Sequence, residues 1–284
     1  MSNKKVLITG ARGFLGSTLM LTLPAQGYET VPLEGDIRDR EAVIRAVADA
    51  APEWVIHAAA KIDVGACESD PATAQEVNVE GTRNIVDACS AAGAKLLFIS
   101  TASVFSGTRG NYVESDKTEP LNVYSRTKME GEELVLHYER GSVVRLLLLG
   151  LRPDGTPGKN FFEWVMRAAL EDKDLQLFND QFVNHLSNWS TSVYIQKILE
   201  LPKIEKIVHI GSADAVSKAA LARMILERFP NYKGTFTEIS VEAVGDRVVR
   251  PKQMWLNVDK AVRLFGGMPS AREEVETIWN KKQP

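Results

Sequence analysis

The sequence predicts an α/β fold, with a doubly wound parallel sheet in the first half of the chain and a smaller C-terminal mixed α/β lobe in the second. Three observations predict it. Short apolar runs alternate with helical periodicity as far as about residue 150. The runs are continuous rather than alternating, as strands covered on both faces are. A glycine-rich turn joins the first run to the first helical pattern.

The elements follow in order. Val6-Leu7-Ile8 predicts the first strand and Leu15 to Leu23 the first helix. Thr30 to Leu33 is a weaker strand, and Arg40 to Ala50 repeats the helical period. Val55-Ile56 opens a third strand, Ala72 to Ala92 is helical, and Leu96 to Ile99 is a fourth strand. Tyr124 to Tyr138 predicts a helix, and Val143 to Leu149 a fifth strand. Right-handed crossovers between such strands wind the sheet in both directions. Past Gly150, Leu151 to Asn160 carries Pro, Gly and Asp together and reads as a loop. Phe161 to Leu170, Lys218 to Phe229 and Val258 to Phe265 predict helices, with short strands at Gln176 to Phe178 and Ile207 to Ile210. The expected domains are residues 1–150 and 151–284, the second threaded back against the first.

Composition narrows the function classes. The 284 residues are 44% hydrophobic and 25% charged with a net charge of -3, which suits a globular protein and argues against a nucleic-acid surface. No apolar run is long enough for a signal peptide or a membrane span, so no membrane partner is expected. Cys67 and Cys89 have no metal-type spacing, and two thiols suit a reducing compartment. The expected location is the cytoplasm, with no metal; self-association as a homodimer is left open.

Lys5 to Gly16 reads Lys-Val-Leu-Ile-Thr-Gly-Ala-Arg-Gly-Phe-Leu-Gly. Gly10, Gly13 and Gly16 allow a tight turn and a close approach to a pyrophosphate. The backbone of Phe14, Leu15 and Gly16 then offers helix N-terminal donors to that anion. This is a Rossmann-type arrangement for NAD(H) or NADP(H). An acid about 20 residues on would hold the ribose hydroxyls of NAD, and a nearby arginine the 2′-phosphate of NADP. Glu34 and Arg12 supply both signals; Arg12, next to Gly13, favours NADP(H) over NAD(H). Small residues at Ala58, Ala59 and Ala60 would let the cofactor lie against the third strand's end. His57 before them reads as a core histidine held by hydrogen bonds.

Tyr124 and Lys128 share a helical face. A free phenol ionises near pH 10, and an adjacent ammonium is expected to lower that value. Lys128 could also reach the ribose hydroxyls. The fourth strand ends in Ser100-Thr101-Ala102-Ser103, where a hydroxyl could orient a substrate oxygen beside Tyr124. Asn160 and Arg250 are candidates for a diphosphate, the arginine through its fork of donors. His185 is a weaker candidate acid or base.

The Gly-x-x-Gly-x-x-Gly spacing and Tyr-x-x-x-Lys together resemble the extended short-chain dehydrogenases/reductases. The resemblance is nearest to the dTDP-4-dehydrorhamnose reductase group. It is carried by Gly35-Asp36, His57 to Asp63, Asn78 to Thr82, Ser100 to Phe105, Pro120 to Tyr124, Lys159 to Phe161, Asn179 to Gln181, Arg250-Pro251 and Leu256-Asn257. It implies that Thr101, Tyr124 and Lys128 are catalytic, and that Asp36 accepts from the adenine amino group while Ile37 packs on its ring. It further implies that Asn78 props the sheet, and that Ser103 faces a nucleotide sugar. The implied reaction is NAD(P)H-dependent reduction of a 4-keto nucleotide sugar.

Three segments depart from the group. Ala102 and Ser103 stand where it has Asp and Tyr, Leu148 stands near its fifth-strand Trp, and Val183-Asn184-His185 replaces a Pro-Thr segment. All are sugar-facing positions in the group. An NAD-dependent nucleotide-sugar epimerase or dehydratase, and a catalytically inactive cofactor-binding regulatory subunit, therefore stay open as alternatives.

Overall fold

The computed structural model describes residues 4–158, 160–243 and 251–282. The described residues form two compact units. One draws on Met1–Val104, Lys117–Arg145 and Ser192–Val208, the other on Phe105–Asp116, Leu146–Thr191 and His209–Pro284. The units interleave along the chain where a single division at residue 150 was expected.

The chain begins β1 (Lys4–Thr9), α1 (Phe14–Thr22), β2 (Tyr28–Pro32), α2 (Arg40–Ala50) and β3 (Trp54–His57). Two short helices follow, α3 (Val64–Ser69) and α4 (Pro71–Gln75). A π-helical turn at Glu76–Glu80 then leads into α5 (Gly81–Ala92), β4 (Lys95–Thr101), α6 (Val123–His137) and β5 (Gly141–Leu146). The stretch read as one helix from Ala72 to Ala92 is thus broken by a wider turn.

The later elements are β6 (Leu148–Leu149), α7 (Phe161–Leu170), β7 (Leu175–Phe178), β8 (Phe182–Val183), β9 (Leu186–Ser187), α8 (Asn188–Leu199) and β10 (Ile207–His209). After them come β11 (Val216–Ser217), α9 (Lys218–Leu226), β12 (Phe236–Ile239), β13 (Gln253–Met254), α10 (Asp259–Phe265) and α11 (Ala271–Lys282).

The main sheet has six parallel strands in the order β10-β5-β4-β3-β1-β2. β1 pairs in parallel with both β2 and β3, so the chain reverses its winding direction beside β1. Ligands bind at such a switch point, outside the carboxyl ends of the strands. The β1 and β3 ends are in register, Thr9 opposite His57. Leu7, Val55, Leu96, Phe98 and Val143 put one face of the sheet into a core shared with Val43 and Val47 of α2 and Ile85 and Ala88 of α5.

Two strand expectations change. Val143 to Leu149 is not one strand, because Leu148 and Leu149 leave the main sheet and pair with Leu186 and Ser187 of β9. Ile207 to His209, read as part of the smaller lobe, is the edge strand of the main sheet. The second unit holds a three-stranded sheet (β11-β8-β13) and a two-stranded one (β12-β7).

Candidate active site

The first functional feature lies where β1 ends. Gly10 has a φ of +67°, a region that L side chains rarely adopt. A Cβ there would sit 2.8 Å from the Ala59 backbone nitrogen, so the loops after β1 and β3 touch backbone to backbone. The Gly13 N–H donates to the Gly10 carbonyl at 2.8 Å, closing the turn.

α2, α3 and α6 each start on a side-chain cap, from Asp39, Asp63 and Asn122. α1 starts on Gly13 and has none, so the first-turn N–H groups at Phe14, Leu15 and Gly16 are left for another acceptor. The loop therefore fits the pyrophosphate of a dinucleotide. Leu15 offers only its backbone, since its side chain is buried.

Arg12 and Glu34, the two opposed cofactor signals, pair with each other at 3.0 Å on the surface. The Asp36 carboxylate accepts from both the guanidinium and the backbone N–H of Arg38, which hold it below its ordinary range. Ile37 does not offer a face to an adenine ring. Its side chain is buried in the core, where a Cβ on Gly81 would lie 2.7 Å from Ile37 Cδ1. That residue can serve a ligand only through its backbone.

A buried polar chain links this region to the catalytic candidates. Ala59 N–H donates to the Thr9 hydroxyl at 3.1 Å, and Thr9 meets His57 Nδ1 at 2.7 Å. His57 Nε2 meets the Thr82 hydroxyl at 3.0 Å, and Thr82 donates to the Asn78 carbonyl at 2.6 Å. Since Thr82 spends its proton on Asn78, His57 carries its own on Nε2 and accepts from Thr9 at Nδ1. Burial pushes this imidazole down to about 3, so it is neutral and structural.

Asn78 is also buried. Its Oδ1 accepts from Lys61 N–H at 2.8 Å, and its Nδ2 donates to Lys61 O at 3.0 Å and to Thr127 Oγ1 at 2.9 Å. Thr127 in turn donates to the Tyr124 carbonyl at 2.9 Å. One amide thus ties the loop after β3 to α6.

α6 carries Tyr124 and Lys128 against the end of β4. Thr101 lies close enough to the Tyr124 phenol to oppose in part the upward push of burial on it. Thr101 also accepts from Ser103 N–H at 3.1 Å and donates to the Ser103 hydroxyl at 3.2 Å. Ser100 points elsewhere, donating to Glu132. Ala102 is buried, leaving Ser103 the more accessible of the two positions where the resembled group has Asp and Tyr.

Lys128 is 3% exposed. Its ammonium donates to Ile99 O at 2.8 Å and lies 3.8 Å from the centre of the Phe98 ring. Burial pushes it down to about 7, against the pull of Glu132. The Tyr124 phenol is enclosed by protein although part of the residue remains accessible, and burial pushes it up to about 12. The expected lowering of Tyr124 by Lys128 is therefore not found in the ligand-free chain. Burial raises the phenol, while the ammonium's own contacts are with Ile99 and Phe98.

The remaining candidates lie in the second unit. Asn160 does not present its amide to a diphosphate. Its Oδ1 caps α7 through Phe162 and Glu163 N–H, and its Nδ2 donates to Gly150 O and Glu163 Oε2. The His185 imidazole is enclosed and pushed down to about 3, unsuited to acid or base work near neutrality. Arg250 lies outside the described residues.

The sequence reading missed Glu132 and Arg145. They form an ion pair at 2.6 Å, with side chains 2% and 3% exposed. The signal was an arginine inside an apolar strand, Val-Val-Arg-Leu, with an acid four residues past Lys128 on the same helical face.

Comparison with known proteins gives one family. Residues 4–283 match the model of the RmlD substrate binding domain. The chain belongs to that family. A dTDP-4-dehydrorhamnose reductase of Streptomyces griseus is 39% identical over 62% of this chain and 58% of its own length. A probable low-salt glycan biosynthesis reductase, Agl14, of Haloferax volcanii is 30% identical over 95% of this chain and 96% of its own. The crystal structure of a dTDP-4-dehydrorhamnose reductase from Bacillus anthracis in complex with NADP superposes with a TM-score of 0.89. It is 29% identical and covers 98% of this chain and 99% of that one. This RmlD-family chain thus shares fold and near full-length alignment with those proteins, while the match to the Streptomyces enzyme spans little more than half of that relative.

Proposed function

We propose that the chain catalyses NAD(P)H-dependent reduction of a 4-keto nucleotide sugar, with dTDP-4-dehydrorhamnose as the first substrate to test and NADP(H) as the favoured cofactor. The observation that carries this reading is the gathering of Thr101, Tyr124 and Lys128 at the end of β4, with the phenol in its protonated state. The similarity to dTDP-4-dehydrorhamnose reductases supports the substrate class.

The nicotinamide, when bound, supplies the hydride. Gly10 to Gly16 bind the pyrophosphate with backbone donors and the α1 dipole. Arg12 is highly exposed and its surface ion pair with Glu34 is of the kind that contributes little, so a 2′-phosphate can take the carboxylate's place beside it. Thr101 and Tyr124 orient the keto oxygen, and both hydroxyls stabilise the negative charge that builds on it. Tyr124, raised to about 12, holds its proton at neutral pH and gives it to that oxygen. Lys128, near 7 in the free chain, becomes more fully charged when hydroxyl acceptors of the ribose and a developing phenolate surround it.

The test is NADPH consumption by the purified protein with dTDP-4-dehydrorhamnose, alongside a Tyr124→Phe variant. The variant is expected to lose about 10²–10⁴ in turnover, the worth of a positioned proton donor. Its NADPH affinity is expected to stay within a few-fold of the parent. Undiminished turnover in the variant would overturn the assignment.

A further inference from the structure

Three consecutive residues at the end of β4 face three residues of α6, and two of the pairs are hydrogen-bonded. Lys128 donates to the carbonyl of Ile99 and Glu132 accepts from the hydroxyl of Ser100, while Thr101 lies beside the Tyr124 phenol. The helical residues lie on one face, one turn apart from each other. Glu132 is the buried end of this row. Besides Ser100, it receives Arg145 of β5 through Nε at 3.0 and 3.1 Å and Nη2 at 2.6 Å.

We propose that Glu132 is a positioning residue, whose buried negative charge keeps Lys128 cationic and whose bond to Ser100 fixes Thr101 opposite Tyr124. The inference rests on the reading of Lys128 given above.

A buried ion pair is weak evidence of stability, because an apolar pair of the same volume often serves as well. A carboxylate here, beside a desolvated ammonium, therefore calls for another role. Burial drives Lys128 toward its neutral form, and Glu132 is the group that opposes it.

The other charged and titratable neighbours do not take over this role. His57 of β3, which feels the lysine's charge, is neutral near pH 7. Arg145 of β5 is a cation turned onto Glu132. Tyr124 on the same helix is protonated, and Cys67 of α3, near that phenol, has its thiol pushed up by burial. The π-turn buries Asn78 and Val79 and packs Val77 against the core, none of them charged. With Glu132 gone, two cations would be left in this interior.

The experiment measures NADPH dissociation constants by cofactor fluorescence between pH 6 and 9, with melting temperature as the check on folding. The parent is expected to lose affinity as pH rises and Lys128 loses its proton. Glu132→Gln with Arg145→Met removes both charges of the pair and is expected to fold. Its loss of affinity should begin about one pH unit lower, since a nearby opposite charge can move a titration by about one unit. That corresponds to about tenfold weaker binding on the falling limb. Glu132→Asp keeps the charge and is expected to stay at the parent's position. A shift in Glu132→Asp equal to the double variant's would mark a shape effect and overturn the charge argument.

Lys128→Met separates the two levels of inference. If it abolishes the pH dependence while the double variant leaves it in place, the role of Glu132 fails and that of Lys128 stands. If Lys128→Met leaves the pH dependence intact, both fail.

Discussion

Gly10 is where one missing carbon decides whether a ligand site exists. Its positive φ and the Ala59 nitrogen at 2.8 Å from a would-be Cβ both exclude a side chain. Gly10→Ala is expected to weaken NADPH binding by more than tenfold and to lower stability by about 1–3 kcal/mol, the range for residues forced into sparsely populated backbone regions. Isothermal titration and urea unfolding check the two parts. The Arg12–Glu34 pair carries a second prediction. Arg12→Ser leaves Glu34 unopposed near the ribose, so the ratio of NADPH to NADH affinity should fall by about tenfold, one charge-assisted contact. An unchanged ratio would remove Arg12 from cofactor choice. The tight turn at Gly10 was legible from spacing alone, because glycines in a strand–turn–helix context have few other uses. The burial of Ile37 was not legible, since an apolar residue after an acid fits a ligand edge and a core equally well.

At the scale of elements, the decisive piece is the π-turn of Glu76–Glu80, which brings Asn78 to bear on Lys61 and Thr127 at once. Wide turns of this sort often mark functional positions inside helices. Asn78→Ala would leave the Lys61 N–H without its acceptor and take one donor each from the Lys61 carbonyl and the Thr127 hydroxyl. The expected cost is about 1–3 kcal/mol for each group left unpaired in the interior. Denaturant unfolding checks this, and kcat should fall with it as α6 loosens from the sheet. The sequence reads as one helix through this region because the apolar spacing hardly changes across a single widened turn. Glu132 and Arg145 escaped for a related reason: charges read as surface until a structure supplies the partner that lets them be buried.

Across the whole molecule, the buried histidines set the response to acid. His57 and His185 are both pushed down to about 3 when folded, against about 6.5 for the free side chain. Between those values the unfolded chain binds more protons than the native one, so stability falls as pH drops from 6.5 toward 3. Each contributes up to about 1.4 kcal/mol per pH unit across that window. Urea unfolding at stepped pH checks the slope, and a flat profile between pH 6 and 4 would contradict it. The class of fold was legible because continuous apolar runs alternating with helical ones have few architectures open to them. The order of the units was not. Ile207 to His209 is too short and too far along the chain to announce that it completes the first sheet.

That late strand has a consequence for how the protein is made. β5 is finished at Leu146, yet its outer neighbour β10 is not synthesised until His209. A ribosome releasing the chain in order therefore leaves a bare strand edge on an otherwise complete sheet while the intervening segments emerge, and such edges recruit other chains. Slowed or truncated synthesis between these points is where newborn molecules of this protein are most exposed to clumping.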